Sequence, residues 1–132
     1  MTEQADIIAA MANLPMAFRA GYESAIGITR QSGFLEGRDG ITVPLIAAYL
    51  AGHPALVEMW KLWSMDKRTT SGWYFAERRL RLPWQRPWVV GYWAQNGVTQ
   101  VKRFRDPCEA CATFVLRECE QLAEYALPPN DR

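Results

Sequence analysis

Residues that commonly carry chemistry are scarce in this 132-residue chain: histidine occurs once, as His53, and cysteine three times, as Cys108, Cys111 and Cys119. A structural zinc site usually takes four Cys or His ligands. Cys119 would lie roughly 12 Å along a helix from Cys111 at 1.5 Å per residue, so one ion cannot gather the thiolates. The odd cysteine count fits a reducing compartment better than an oxidising one. No apolar run reaches the roughly 18 residues of a membrane span. Fifteen Lys and Arg against fourteen Asp and Glu leave a formal charge of +1, and hence no global field for nucleic acid or anionic membrane. The opening Met1-Thr2-Glu3-Gln4-Ala5-Asp6 lacks a basic region, so no secretory or transit segment is expected and the expected location is cytoplasmic.

Catalytic patterns are equally thin. His53, Ser71 and Asp66 could be drawn as a triad, but no nucleophile elbow or oxyanion loop accompanies them. Gly33, Gly37 and Gly40 follow no strand and match neither a phosphate loop nor a dinucleotide fingerprint. No pair of carboxylates stands out. The one redox-like motif is Cys108-Glu109-Ala110-Cys111 at a helix start, where a helix N-terminus can stabilise a thiolate. It follows an antiparallel hairpin rather than a βαβ unit, and Cys111 shares an apolar stripe with Val115 and Cys119, as a packed cysteine does. Thiol-redox chemistry through Cys108 and Cys111 therefore stands as an alternative to a non-catalytic chain without cofactor.

What is present is a globular composition, 49% hydrophobic and 22% charged, at a length suited to one domain over residues 1–132. Such a chain buries about 68% of its unfolded surface and needs no metal or disulfide as a staple. Ile7, Ile8, Met11 and Leu14 form a helical stripe, and Phe18, Tyr22, Ala25 and Ile26 a second. The pattern dissolves from Thr29 to Ile41, which reads as loop. Helices return from Pro44 to Gly52 and from Pro54 onward. Gly72–Glu77 and Pro87–Ala94 are rich in aromatic and β-branched residues, as strands are. Asn96-Gly97 signals a hairpin returning through Val98–Phe104. Asp106, Pro107 and Glu109 then open a helix with a capping box that runs to Leu127-Pro128-Pro129. The expected fold is α+β: N-terminal helices, a three-stranded antiparallel β-meander and a C-terminal helix.

A turn centred on Asn96-Gly97 would pair Val90 with Arg103, Tyr92 with Val101 and Trp88 with Arg105, and set Val89 with Phe104 on the opposite face. Both faces then carry large apolar groups, so helices cover both or one is open for recognition. Helices on both sides would absorb Val89, Trp93 and Phe104 without any partner. They would not absorb the connection Arg78–Arg86, where Arg78, Arg79, Arg81 and Arg86 alternate with Leu, Pro and Trp84, or Arg103 and Arg105 nearby. Trp and Arg are the residues most enriched at binding hot spots. These seven residues are the candidate partner-binding set, with Trp84 as anchor. The same side chains could stack bases and contact phosphates of single-stranded nucleic acid, against which the near-zero net charge weighs.

Three strings, Asp66–Phe75 (DKRTTSGWYF), Pro87–Trp93 (PWVVGYW) and Phe104–Glu118 (FRDPCEACATFVLRE), resemble the style of small bacterial immunity proteins, the cytosolic inhibitors paired with polymorphic or contact-dependent toxins. The resemblance covers the C-terminal half and carries no contact residue across. It implies a protein partner, a toxin domain, that is masked without catalysis or cofactor.

Overall fold

The computed structural model describes residues 3–21, 23–66, 71–78 and 86–126. Along the chain run α1 (Gln4–Ala12), α2 (Leu14–Arg19), α3 (Ala25–Ser32), α4 (Phe34–Gly37), α5 (Val43–Ala51), α6 (Pro54–Asp66), β1 (Gly72–Glu77), β2 (Trp88–Ala94), β3 (Gly97–Phe104) and α7 (Pro107–Ala126). The architecture is the α+β arrangement expected, with helices first, then an antiparallel sheet in the order β1-β2-β3, then a long helix. Local chemistry explains most boundaries. Pro54 and Pro107 stand at first helical positions, where the missing N–H costs nothing. The Asp106 carboxylate accepts from the Cys108 N–H at 3.0 Å, satisfying one of the orphan donors that start α7.

The segment 29–41 is not the loop its residues suggest. Helix α3 runs through Ser32 and α4 follows at once, with a short 3₁₀ turn from Arg38 to Gly40. The stripe is disguised because two of its buried members are polar. Thr29 and Ser32 face inward beside Ile28, and Phe34 is fully buried. Their hydroxyls are satisfied locally: Thr29 Oγ1 donates to Ala25 O at 2.9 Å, and Ser32 Oγ donates to Thr29 O at 2.6 Å while accepting from Phe34 N at 3.1 Å. Gly33 makes the sharp junction at φ 87°, a left-handed conformation that suits glycine. The second stripe is not one helix either. It breaks after α2, at Gly21 (φ 78°), and α3 starts afresh at Ser24, whose Oγ accepts from Gly27 N at 3.1 Å. Tyr22 lies outside the described residues.

Helix α7 is the centre of the molecule. It packs against the sheet and α6 on one side and against α3 and α5 on the other. Phe114 meets Trp60 edge-on at 5.8 Å and stacks on Phe75 at 5.9 Å, and Phe75 continues onto Trp88 at 5.6 Å. Aromatic pairs at such distances add about 0.5–1.5 kcal/mol each beyond their burial. The indole N–H groups find acceptors: Trp60 donates to Ala12 O at 2.9 Å, and Trp63 to Glu118 Oε2 at 2.8 Å. Among the described residues, no helix is long and apolar enough to cross a membrane.

The register of the hairpin differs from the one expected. Ala94 pairs with Gly97, so Gln95 and Asn96 form the turn and Trp93 faces Val98. Farther along, Val90 pairs with Lys102, Val89 with Arg103 and Trp88 with Phe104. The shift between the two stretches inserts one extra residue in β3 opposite Gly91, and there Gln100 adopts φ 54°. A one-residue slip moves a strand's side chains to the other face. Arg103 and Val101 join Val89, Gly91 and Trp93, while Phe104 turns inward. Nor, among the described residues, do helices cover both sides: α6 and α7 pack on the same face, and the N-terminal helices reach α7 rather than the opposite face.

Candidate functional site

Pleating assigns each strand residue to a side. The inner side carries Trp73, Phe75, Trp88, Val90 and Phe104, all belonging to or packed on the core. Glu77 is also on this side and pairs with Lys61 of α6 at 3.6 Å. The outer side carries Tyr74 and Ala76 of β1, Val89, Gly91 and Trp93 of β2, and Val98, Val101 and Arg103 of β3. Its middle is closed: Val89 is buried, and a Cβ at Gly91 would sit 2.7–2.8 Å from the Tyr74 ring, so that ring lies directly over the glycine. Toward the turn the face opens. Trp93, Val98 and Val101 are 47%, 38% and 49% exposed and form a contiguous apolar patch.

Away from the turn the same face becomes basic. Arg78 continues the ladder, its N–H donating to Pro87 O at 2.7 Å, and its alternation places it beside Ala76 on the outer side. Arg78, Arg86, Arg103 and Arg105 are all exposed. Among the described residues no carboxylate occupies the outer side. Of the candidate set, Arg79, Arg81 and Trp84 lie outside the described residues. The structure thus brings Arg78 and Arg103 to one face, with Arg86 and Arg105 at its end. It adds Trp93, Val98 and Val101, which residue type alone did not single out.

A signal for this face was present in the charge order. Residues 67–105 hold nine Lys and Arg against the single acid Glu77, while the remaining 93 residues hold six Lys and Arg against thirteen Asp and Glu. The net charge of +1 is the near-cancellation of a basic segment, residues 67–105, and an acidic remainder of the chain. A whole-chain total hides such a separation, although fields act locally.

The sheet's edges are less available than its face. On the β1 edge the Phe75 N–H donates to the buried Ser64 Oγ of α6 at 2.7 Å, which caps the row of open donors. On the β3 edge the bulge at Gln100 interrupts the backbone pattern and Lys102 stands exposed next to it. Bulges and lysines are the usual means of discouraging an added strand.

The other candidate groups are engaged or masked. Desolvation by burial pushes the Cys108 thiol above its ordinary value, and the Asp106 carboxylate adds to the effect. Cys111 and Cys119 are buried and pushed much farther up, again chiefly by desolvation. A thiol motif built for attack needs the opposite shift. His53 stacks on Tyr49 at 4.2 Å, with its Nδ1 2.8 Å from Tyr49 O, at the end of α5. Among the described residues no three His, Cys, Asp or Glu side chains gather as a metal site. In comparisons with known protein families, curated proteins and solved structures, the chain matches none.

Proposed function

We propose that this chain is a non-catalytic binding protein that docks the outer face of its sheet on an acidic surface of another protein. The observation that carries the reading is the exposed patch of Trp93, Val98 and Val101 running into Arg78 and Arg103 on a face that, among the described residues, holds no carboxylate. An apolar centre flanked by guanidinium groups suits a protein interface, in which Trp and Arg anchor and the rim pairs with carboxylates. An immunity-type inhibitor is the form of this reading that the sequence resemblance supports, since covering a toxin surface requires neither catalysis nor cofactor.

The basic excess of residues 67–105 also favours a second reading, binding of single-stranded nucleic acid. The protein reading is preferred because aliphatic Val98 and Val101 offer no stacking surface, and Tyr74 is spent over Gly91. The test compares wild type with Trp93→Ala/Arg103→Glu as baits in a nuclease-treated lysate of the source cells, with Glu124→Gln on α7 as a control. A stoichiometric protein captured by wild type and control but lost with the double variant is the expected result. Capture unaffected by the double variant overturns the assignment of the face. Retention of labelled single-stranded DNA or RNA that weakens steeply with salt supports the second reading instead.

A further inference from the structure

A second exposed apolar surface lies on the helical layer, at the corner between α2 and α6. There Pro15, Phe18 and Arg19 of α2 face Met59, Trp63 and Asp66 of α6 across a groove. Phe18 meets the Trp63 ring edge-on at 5.2 Å yet remains 47% exposed. Leu62 and Met65, also exposed, adjoin the Met59–Trp63–Asp66 stripe at helical spacing, and Met16 is exposed on α2. The corner and the outer sheet face together hold most of the molecule's exposed large hydrophobic side chains among the described residues. Contiguous groups of this kind mark contact surfaces, whereas isolated ones need no explanation.

The two surfaces differ in their charges, and the difference identifies an occupant. The sheet face is of one sign and would repel a copy of itself. The groove is flanked by one cation, Arg19, and one carboxylate, Asp66. Neither has a salt-bridge partner among the described residues. A two-fold axis brings the same patch of two copies together, so residue i of one meets residue j of the other and the reverse. A groove with opposite charges on its two walls is self-complementary under that operation. We propose that the chain forms a two-fold homodimer through the α2/α6 corner. Phe18 of each copy enters the groove of the other, and Arg19 pairs with Asp66 across the axis. This leaves both outer sheet faces uncovered, and it does not depend on what those faces bind.

Sedimentation velocity over about 1–100 µM tests the pairing, because dimer formation is concentration-dependent by mass action. Wild type is expected to move toward twice the 15.1 kDa chain mass as concentration rises. Phe18→Glu, Arg19→Asp and Asp66→Arg should each raise the midpoint concentration by about tenfold or more. The double variant Arg19→Asp/Asp66→Arg should restore the wild-type midpoint, because swapping both signs recreates the pair. These positions are exposed, and an unchanged far-ultraviolet circular dichroism spectrum identifies a variant that still folds. A wild type that stays monomeric throughout overturns the proposal. So does a dimer indifferent to Phe18→Glu, or one whose single charge variants behave alike and are not rescued by the double.

Discussion

The two faces of the same three-stranded sheet are both rich in apolar residues, yet they have opposite fates. The inner face stacks Phe75, Trp88 and Phe104 on α6 and α7 and pairs Glu77 with Lys61. The outer face has a comparable share of aromatic and branched residues, but among the described residues no helix packs on it and its charged groups are arginines. The contrast shows that hydrophobicity by itself does not distinguish a core surface from an interface. What separates them is the chemistry around the apolar groups: satisfied and mixed in sign inside, one-signed outside. A substitution on the inner face should therefore be read in stability, and one on the outer face in binding.

The largest expected effect comes from breaking the inner side. Phe114→Ala removes the ring shared by Trp60 and Phe75 and should cost about 3–5 kcal/mol in urea unfolding, through lost contacts and an unfilled cavity. Trp93→Ala, outside, should change the same measurement by less than about 0.5 kcal/mol. Similar losses for the two would erase the distinction between the faces.

The thiols of α7 give a second handle on the interior. Burial raises Cys111 and Cys119 above the ordinary value of 9.0, so the folded chain keeps its protons where the unfolded chain releases them. A raised folded pKa gives stability that is complete below the unfolded value and is lost above it. Unfolding free energy should thus fall as pH passes 9, with each thiol contributing up to about 1.4 kcal/mol per pH unit. Cys111→Ala/Cys119→Ala should be less stable near neutrality but show a shallower decline above pH 9 than wild type. At pH 8, a thiol reagent should label Cys108 slowly and the other two only on unfolding.

Ser64→Ala probes the edge that α6 protects. It leaves the buried Phe75 N–H without its acceptor and should cost about 1–3 kcal/mol. If protection of this edge is what keeps the sheet from pairing with itself, the variant should also aggregate sooner on heating than a surface control such as Glu124→Gln. Light scattering during a thermal ramp reads this directly.

The fold was readable where residues punctuate the chain. Pro54, the Asp106–Pro107 start and the aromatic strands define their elements through local chemistry, and the structure agrees with each. The reading failed where tertiary burial overrode local pattern. Thr29 and Ser32 look like loop residues, but their hydroxyls bond within their own turn and allow them inside. It failed again at the hairpin, because an extra residue in β3 cannot be seen in a two-periodic pattern, and it reverses which residues face out. The candidate site inherited that error. Arg78, Arg86, Arg103 and Arg105 were identified from residue type, whereas Trp93, Val98 and Val101 needed the register. The separation of the basic segment 67–105 from the acidic remainder could have been counted from the sequence, but the near-zero total concealed it.

A small predicted effect concerns that register. Gln100 holds φ 54°, a region that costs an ordinary L-residue about 1–2 kcal/mol and glycine almost nothing. Gln100→Gly removes the strain while adding freedom to the unfolded chain, so the gain in stability should be at most about 1 kcal/mol. Gln100→Val meets the same strain with a stiffer side chain and should lose about as much. If the bulge were a passive accident, valine would favour a regular strand and the order would reverse. A regular β3 would carry Val101 and Arg103 to the inner side, separating them from Trp93. The two variants therefore test the register and the outer face together: Gln100→Gly should keep the partner that Trp93→Ala/Arg103→Glu loses, because the bulge is what holds the arginine beside the tryptophan's patch.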